Sequence, residues 1–401
     1  MAASTPLDAR RTVPPSQARP TATVAVAPAN RPAGQEVSDA VQDTSARRLL
    51  GPSGPSTTRA DHLLAAAHRG PLSATAYGVP ADGRRDAAGP LQALLNVTPP
   101  GATVTFPAGD YLLGSHVWLT RPLTLLGMPG SRFFTDGRGH LPACFSVAAH
   151  EVTLRGLTLV GAGHVGVGID ATVAPVAHLT IRDCVLSGME AAGIQVGFHD
   201  APCRHVRIAG NTVAHCRFPI SLLFNCSGAV IVGNVVTASP QRGIMLNLLS
   251  ASTGPRDVLI QGNRVEANGH TGALSIEGGN DVQVLDNHWT AANGIFGFYA
   301  AFTGTSASHT QVRIQGNTFL QATPHTGFCG VFGAANGIRL EANRFAGFYG
   351  GLGADPNCRY GNVVADNRFS GLTTAYEGTW LRGGWTFLGN VGMATPRFVP
   401  A

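Results

Sequence analysis

One residue pattern recurs along most of this chain and limits what the chain can fold into. An Asn, often preceded by Gly, stands between short apolar stretches, and its copies follow one another at intervals of 23 to 30 residues. The pattern is marked by Asn211, Asn234, Asn263, Asn287, Asn317, Asn343, Asn367 and Asn390, with Leu157 and Cys184 in the same place in two earlier copies. Apolar residues stand three before and two after this position in nearly every copy. Each copy is therefore one turn of a repeating structure that needs its neighbours to bury its apolar side chains.

Within each copy, apolar and polar residues alternate, which indicates strands. The variable interval excludes a propeller, whose blades need about 40 residues or more, and the LxxLxL pattern of leucine-rich repeats is absent. The charged fraction of only 13% and the 51 glycines favour a turn-rich β protein over a helical one. The sequence therefore predicts an all-β, single-stranded parallel β-helix of about ten or more coils, with about three short strands per coil.

The recurring Asn has a structural role in this prediction. Asn tolerates the left-handed backbone conformation that a sharp bend between strands requires. Asn side chains stacked in consecutive coils can also hydrogen-bond to one another and to the turn backbone. We therefore expect an asparagine ladder rather than catalytic residues, and we expect Asp183, Asp257, Asp281, Asp286 and Asp366 to be turn residues as well.

Three regions differ in composition. Residues 1–70 are rich in Pro, Ala, Ser, Thr and Arg without apolar periodicity, which predicts a disordered arm. Residues 71–140 are predicted to form the N-terminal cap and first coils, with a short capping helix for which Asp82 or Asp86 is a helix-capping candidate. Residues 141–401 are predicted to form the main parallel β-helix.

The cap region carries a motif that is similar to a known family. "AYGVPADGRRDAAGPLQALL" followed by "GATVTFPAGDYLL" resembles the N-terminal segment of the pectate-lyase-like superfamily, with matches at Tyr77, Gly78, Asp82, Gly83, Asp86, Phe106, Pro107, Gly109 and Tyr111. With the Asn-marked coils, the resemblance covers residues 74–401 and implies a right-handed β-helix. The superfamily includes pectate lyases, polygalacturonases, uronate epimerases, fructotransferases and phage tailspike depolymerases, so the fold alone does not name a reaction.

The catalytic signatures of several of these families are missing. The chain lacks the N-T-D, D-D, G-H-G and R-I-K motifs of polygalacturonases and the D-P-H-D motif of alginate-type epimerases. It also lacks the calcium-binding acidic cluster of pectate lyases. The resemblance to the superfamily as a whole still implies a protein that cleaves an oligo- or polysaccharide, as hydrolase or lyase, in the groove beside one parallel sheet. The alternative is a non-catalytic glycan-binding or structural β-helix, such as a virion tailspike-like or surface component.

The groove strands follow each ladder position by some ten to fifteen residues. If Ile169, Ile194 and their equivalents point inward, the outward row contains Asp170, Gln195, Ser221, Met245 and Ser275, and the next row contains Thr172, Gly197, Leu223, Asn247 and Glu277. Asp170, His199 and Glu277 are the predicted acid/base residues, with Asp170 and His199 on neighbouring coils. Asp355 and Glu377 form a second candidate carboxylate pair.

Polar and aromatic groove residues are the candidates for substrate binding. Side chains of Gln195, Asn225, Arg242 and Asn247 can bind hydroxyl or carboxylate groups. Tyr299, Tyr376 and Trp380 are the aromatic residues predicted to stack on sugar rings.

Charge and cysteine content bound the remaining possibilities. All 28 basic residues are Arg and they occur singly or in pairs, unlike the clustered footprint of a nucleic-acid-binding protein. The seven cysteines form no CxxC or zinc spacing, so most are expected to be small core residues. No cofactor is expected; calcium is left open but has no support in the sequence. No signal peptide or membrane-spanning run is recognisable, which leaves the location undetermined. The resemblance also leaves a homotrimer open.

Overall fold

The computed structural model describes residues 70–247, 254–267, 272–292, 297–302, 311–324, 326–333, 336–354, 361–372, 374–376 and 385–392. The backbone alone is described at residues 298–299, 301–302, 328, 331–333, 351–354 and 374–376. The arm predicted for residues 1–70 lies outside this part of the chain except for its last residue.

The described residues form three parallel sheets, because each coil contributes one strand to each sheet and pairs with the coil before and after it. Sheet A contains the strands that precede the Asn position. They are β1 (Leu72–Ser73), β3 (Thr103–Phe106), β6 (Thr124–Gly127), β9 (Thr153–Arg155), β12 (Thr180–Arg182), β16 (Arg207–Ala209), β19 (Cys226–Val232), β22 (Arg256–Gln261), β25 (Asn280–Leu285), β28 (Val312–Gln315), β31 (Arg339–Glu341), β34 (Asn362–Ala365) and β37 (Trp385–Leu388), with β15 (Cys203–Arg204) beside β19.

Sheet B contains the strands that follow the Asn position. They are β2 (Asp82–Asp86), β4 (Gly109–Leu112), β7 (Ser131–Phe134), β10 (Thr158–Val160), β13 (Val185–Ser187), β17 (Thr212–Ala214), β20 (Val235–Ser239), β23 (Arg264–Ala267), β26 (His288–Ala291), β29 (Thr318–Gln321), β32 (Arg344–Ala346) and β35 (Arg368–Ser370).

Sheet C contains the strands of the predicted groove. They are β5 (Val117–Leu119), β8 (Leu141–Val147), β11 (Val165–Ala171), β14 (Ala192–Val196), β18 (Phe218–Leu223), β21 (Ile244–Asn247), β24 (Leu274–Glu277), β27 (Phe298–Phe302), β30 (Thr326–Gly333), β33 (Phe348–Ala354) and β36 (Thr374–Tyr376). The predicted all-β solenoid with three short strands per coil is confirmed.

The predicted capping helix is also present, as α1 (Ala88–Val97). The carboxylate of Asp86 accepts hydrogen bonds from the backbone N–H of Ala88 at 2.9 Å and of Gly114 at 2.8 Å. Asp86 therefore ties the start of the helix to the next coil. Asp82 instead accepts from the backbone of Arg84 and Arg85 in a local turn.

Side chains three residues before and two residues after the ladder position build the core. At the first of these positions, every residue from Leu154 to Val364 has no exposed surface. At the second, Trp289, Phe319, Phe345 and Phe369 stack in successive coils with ring centroids 4.9 to 6.1 Å apart. Burial of these large rings between coils explains why a single coil is not stable by itself.

The asparagine ladder is confirmed, with one correction. From Asn211 to Asn367, each side-chain amide donates to the Asn of the following coil at 2.9 to 3.1 Å, and the last acceptor is Asn390. The left-handed residue, however, is the one before the Asn, as at Asp286 (φ 55°) and Gly316 (φ 67°). The Asn side chain turns inward to reach the next coil, and its neighbour takes the bend. The five Asp residues expected in turns all have a φ of 53° to 56°.

Candidate functional site

The register of sheet C confirms which residues point away from the coil. Parallel pairing aligns one predicted outward row on adjacent strands, namely Asp170, Gln195, Ser221, Met245 and Ser275. The residues that alternate with it are fully buried inside the coil, namely Ile169, Ile194, Ile220, Ile244 and Leu274. The outward row therefore follows one face of the solenoid across five coils.

The middle of this row is covered rather than open. Ser221, Met245 and Ser275 are 1%, 7% and 0% exposed. The guanidinium of Arg242 lies over this part of the sheet, with Nη1 3.0 Å from Sδ of Met245 and 3.3 Å from Oγ of Ser275. The Arg242 side chain therefore contacts the outward side of Met245 and Ser275.

Glu277 is the centre of a polar cluster formed with Arg242, Asn247 and Ser275. Its carboxylate forms an ion pair with Arg242, and the two side chains are only 24% and 17% exposed. Asn247 Nδ2 donates to Oε2 of Glu277 at 2.6 Å, and Ser275 Oγ donates to Oε1 at 3.2 Å. A cation and two hydrogen-bond donors offset the desolvation of this half-buried carboxylate.

The fold brings these four residues together from three segments. Asn247 and Glu277 are partners on neighbouring strands β21 and β24, so their side chains lie side by side. Ser275 precedes Glu277 by two residues on the same strand and faces the same way. Arg242 lies in the turn before β21, where its carbonyl accepts a hydrogen bond from Oγ of Ser239. The predicted residues Arg242 and Asn247 therefore both contact the predicted residue Glu277.

The other two predicted acid/base residues have local partners. Oδ1 of Asp170 accepts hydrogen bonds from the backbone N–H of Thr172 at 3.0 Å and from its hydroxyl at 2.7 Å. Nδ1 of His199 lies 2.6 Å from Oδ1 of Asp200, and both side chains are exposed. No hydrogen bond joins Asp170 to His199, although both residues are described. Their cooperation as an acid/base couple stays a prediction.

Strand spacing separates these residues from Glu277. Asp170 lies four strands away along sheet C, and His199 follows a strand that is three strands away. At about 4.8 Å per strand, these separations are about 19 Å and about 14 Å. Both exceed the range of about 5 to 9.5 Å over which two carboxyl groups act on one glycosidic bond. Glu277 and Asp170 therefore do not form a glycosidase pair.

The remaining predicted binding residues are spread along the groove. Gln195 is half-buried in the outward row. Oδ1 of Asn225 is buried and has no hydrogen-bond partner among the residues that the structure describes. The backbone of Tyr299 extends the row from Ser275, and the backbone of Tyr376 belongs to the last described strand of sheet C. Trp380 and the Asp355–Glu377 pair lie outside the described residues.

Sequence reasoning missed one aromatic residue of the groove. Trp118 pairs with Ser146, which in turn pairs with Asp170, so the outward row begins at Trp118 on strand β5. Its indole is half-buried and packs edge-on against the ring of His116, with centroids 5.0 Å apart. The side-chain amide of Gln92, on the capping helix, accepts a hydrogen bond from the backbone N–H of Trp118 at 2.7 Å and donates one to its carbonyl at 3.1 Å. In "HVWL", Trp118 lies between two apolar residues that point inward, and this alternation could have predicted its outward position.

Within the described part of the chain, no group of three or more His, Cys, Asp or Glu side chains is placed to hold a metal ion. No helix there is long and apolar enough to cross a membrane.

A family model described as "Right handed beta helix region" matches residues 144–319, which contain the central coils and the Glu277 cluster. The described coils form a right-handed parallel β-helix. A comparison with curated protein sequences gives no match.

Solved structures similar to this β-helix protein differ in what they do. The A-module of the mannuronan C-5 epimerase AlgE6 of Azotobacter vinelandii has a TM-score of 0.61 at 16% identity, covering 81% of this chain and 100% of that one. The catalytic unit of a GH87 α-1,3-glucanase of Streptomyces thermodiastaticus has a TM-score of 0.60 at 13% identity, covering 81% and 69%. PfbA, a surface adhesin of Streptococcus pneumoniae, has a TM-score of 0.56 at 15% identity, covering 80% and 92%. At these identities the likeness establishes the shared fold.

Proposed function

We propose that this β-helix protein binds an oligo- or polysaccharide along the outward row of sheet C and cleaves it at Glu277. The observation that carries the proposal is the half-buried carboxylate of Glu277, held by Arg242, Asn247 and Ser275 in the middle of that row. Two of the similar solved structures are of enzymes named for polysaccharides, which supports the class of ligand. Neither resemblance assigns the reaction.

Among the described groove residues, Glu277 is the one carboxylate next to Arg242, and this arrangement favours elimination over hydrolysis. Hydrolysis by the usual routes needs a second carboxyl group within about 9.5 Å, and Asp170 is too far away. In an elimination, Arg242 binds the carboxylate of a uronate sugar and Glu277 takes the proton from the adjacent ring carbon. The electron pair of that C–H bond forms a C=C bond, the glycosidic C–O bond breaks, and the departing oxygen takes a proton from water.

The ion pair places Arg242 where a substrate carboxylate can compete with Glu277 for its guanidinium. In the free protein, Arg242 is held in an ion pair with the carboxylate of Glu277. A substrate carboxylate competes for the same guanidinium, because Arg recognises carboxylates in bidentate geometry. Asp170, Gln195 and His199 then contact sugar units further along the bound chain.

Non-catalytic glycan binding is the second candidate function. It is favoured by the engagement of both oxygens of Glu277, since Oε1 contacts Arg242 and Ser275 while Oε2 accepts from Asn247. A carboxylate held in this way can serve to fix the Arg242 guanidinium for binding. The similarity to a surface adhesin is compatible with this role.

A panel of neutral and uronate-containing glycans tests both candidates. New reducing ends report any cleavage, and ultraviolet absorbance of unsaturated uronates reports elimination. We expect unsaturated products with the unaltered protein and a loss of about 100-fold or more in Glu277→Gln, which is the usual contribution of an acid/base group. Glu266→Gln is the matched control, because Glu266 is exposed on sheet B.

Three other outcomes would contradict all or part of the proposed cleavage. Reducing ends without unsaturation would show hydrolysis and overturn the elimination. Equal turnover by Glu277→Gln and Glu266→Gln would remove Glu277 from the active site. Binding without turnover on every glycan would establish the second candidate function.

A further inference from the structure

A separate cleft lies on sheet A, on a different face from the sheet C row. It has a volume of about 430 Å³, and its lining includes Asp281, Gln283, Gln311, Arg313, Gly337 and Arg339. These residues belong to three consecutive coils, on or just before strands β25, β28 and β31. None of them belongs to the Glu277 cluster.

Two arginines of the cleft are held in place by one glutamate. Gln283, Arg313 and Arg339 are aligned on adjacent strands and face outward. Nε of Arg313 donates to Oε2 of Glu341 at 3.1 Å, and Nε of Arg339 donates to Oε1 at 2.8 Å. Glu341 is only 15% exposed, whereas the two arginines are 48% and 53% exposed. The carboxylate of Glu341 therefore fixes the orientation of both guanidinium groups, while about half of each arginine side chain remains exposed.

The charge state of Glu341 supports this arrangement. Partial burial raises the pKa of its carboxyl, but hydrogen bonds and charge attraction from Arg339 and Arg313 outweigh burial and hold the pKa below its usual value. Glu341 is therefore ionised at neutral pH and keeps both arginines in fixed positions. Arg313 uses only its Nε for this contact, and its two terminal amino groups have no hydrogen-bond partner among the described residues.

A glycine in the row of left-handed turns leaves room for the cleft. Several described coils have a residue with positive φ at or near the start of the sheet A strand, and this residue is His205, Asp257, Asp281 and Gln311 in four of them. In the coil after Gln311 it is Gly337, with φ 69°. A Cβ at Gly337 would already lie 3.6 Å from the backbone of Gln311, so a longer side chain would extend into the cleft.

We propose that this cleft is a second glycan-binding site, independent of any reaction at Glu277. Arg313 and Arg339 supply fixed donors, Asp281 supplies an acceptor, and Gln283 and Gln311 supply both. A ring with several adjacent hydroxyl groups can satisfy such a mixed set, since each hydroxyl both donates and accepts. The charges of Arg313 and Arg339 are balanced by those of Asp281 and Glu341, which favours a neutral sugar over a uronate.

Binding of cellohexaose, maltohexaose and hexagalacturonate to the full chain, measured by isothermal titration calorimetry, tests the proposal. We expect at least one neutral hexasaccharide to bind, and Arg313→Gln or Gln283→Ala to weaken that binding about tenfold, as for the loss of one or two hydrogen bonds from a charged or polar donor. Arg207→Gln is the matched control, because Arg207 occupies the same outward row of sheet A four strands away.

Glu277→Gln separates this proposal from the proposed cleavage. We expect it to leave binding of the neutral hexasaccharide unchanged, whatever happens to turnover. Loss of that binding in Glu277→Gln would place the ligand on sheet C and overturn the second site. Failure of both neutral sugars to bind, equal affinity of Arg313→Gln and Arg207→Gln, or tighter binding of hexagalacturonate would also overturn it.

Discussion

The Nδ2 amide of Asn287 donates a hydrogen bond to Oδ1 of Asn317 at 2.9 Å, across two successive coils. The same Nδ2 reaches the carbonyl of Ile260 at 2.9 Å, while Oδ1 of Asn287 accepts from the backbone N–H of Asn263 at 2.8 Å. One side chain thus links three coils in an interior where it is only 2% exposed. The ladder side chains thus supply hydrogen-bond partners for backbone N–H and carbonyl groups at the bend between two strands.

We expect Asn287→Ala to lower the free energy of unfolding by about 2 to 4 kcal/mol, because it leaves a buried carbonyl and a buried N–H without partners. Urea unfolding followed by circular dichroism measures the change. Asn96→Ala is the control, since Asn96 is exposed at the end of α1 and bonds to Gln92, and it should cost less than about 0.5 kcal/mol. Equal losses in the two variants would contradict a stabilising ladder.

The Glu341 ion pairs should make stability depend on acid pH. The pKa of Glu341 is lower in the folded protein than its ordinary value of 4.5, so its contribution is fully present above that value and is lost as pH falls through the folded pKa. Glu341→Gln should therefore be less stable than the unaltered protein at neutral pH. Thermal unfolding between neutral pH and pH 3 should show the gap closing below about 4.5. A gap that stays constant with pH would show that Glu341 acts by packing alone.

The described cysteines should resist alkylation in the native protein. Burial raises the pKa of Cys144 to about 12 and that of Cys216 to about 11. At pH 8 the thiolate fraction of such groups is at most about one in a thousand, and iodoacetamide reacts with the thiolate. Cys358 lies outside the described residues, so the assay uses Cys358→Ala. Mass spectrometry should find almost no label before urea is added and six labels afterwards, and rapid native labelling would refute the buried placement.

Trp118 should contribute to binding of long glycans at the N-terminal end of the groove. If the proposed sheet C site is correct, Trp118→Ala should weaken binding of long chains by about fivefold, corresponding to about 1 kcal/mol for one aromatic stacking contact. Trp118→Phe should retain most of the affinity, because it keeps an aromatic face. Affinities for a long chain and for its disaccharide, compared by calorimetry, measure the effect. An equal loss for both lengths would argue against an end position.

The predictions made from the sequence pattern were correct for features that recur from coil to coil. The alternation around Ile194 and Ile220 placed the outward row of sheet C correctly, because a strand's two faces follow directly from residue order. The role of the Asn was correct in its hydrogen bonds and wrong in its backbone conformation. The bend falls on the preceding residue, as at Ala342 with φ 53°, because the Asn side chain has to turn inward to reach the next coil.

Residue order by itself determined the period of the coils, the faces of the strands and the asparagine ladder, because these depend on contacts that recur in every repeat. Only the tertiary structure decided that Arg242 pairs with Glu277, that Asp170 turns to Thr172, and that Arg313 and Arg339 share Glu341. Those contacts depend on the length and direction of the turns between strands, which vary from coil to coil. A periodic pattern specifies what all coils share, and the site lies in what individual coils do differently.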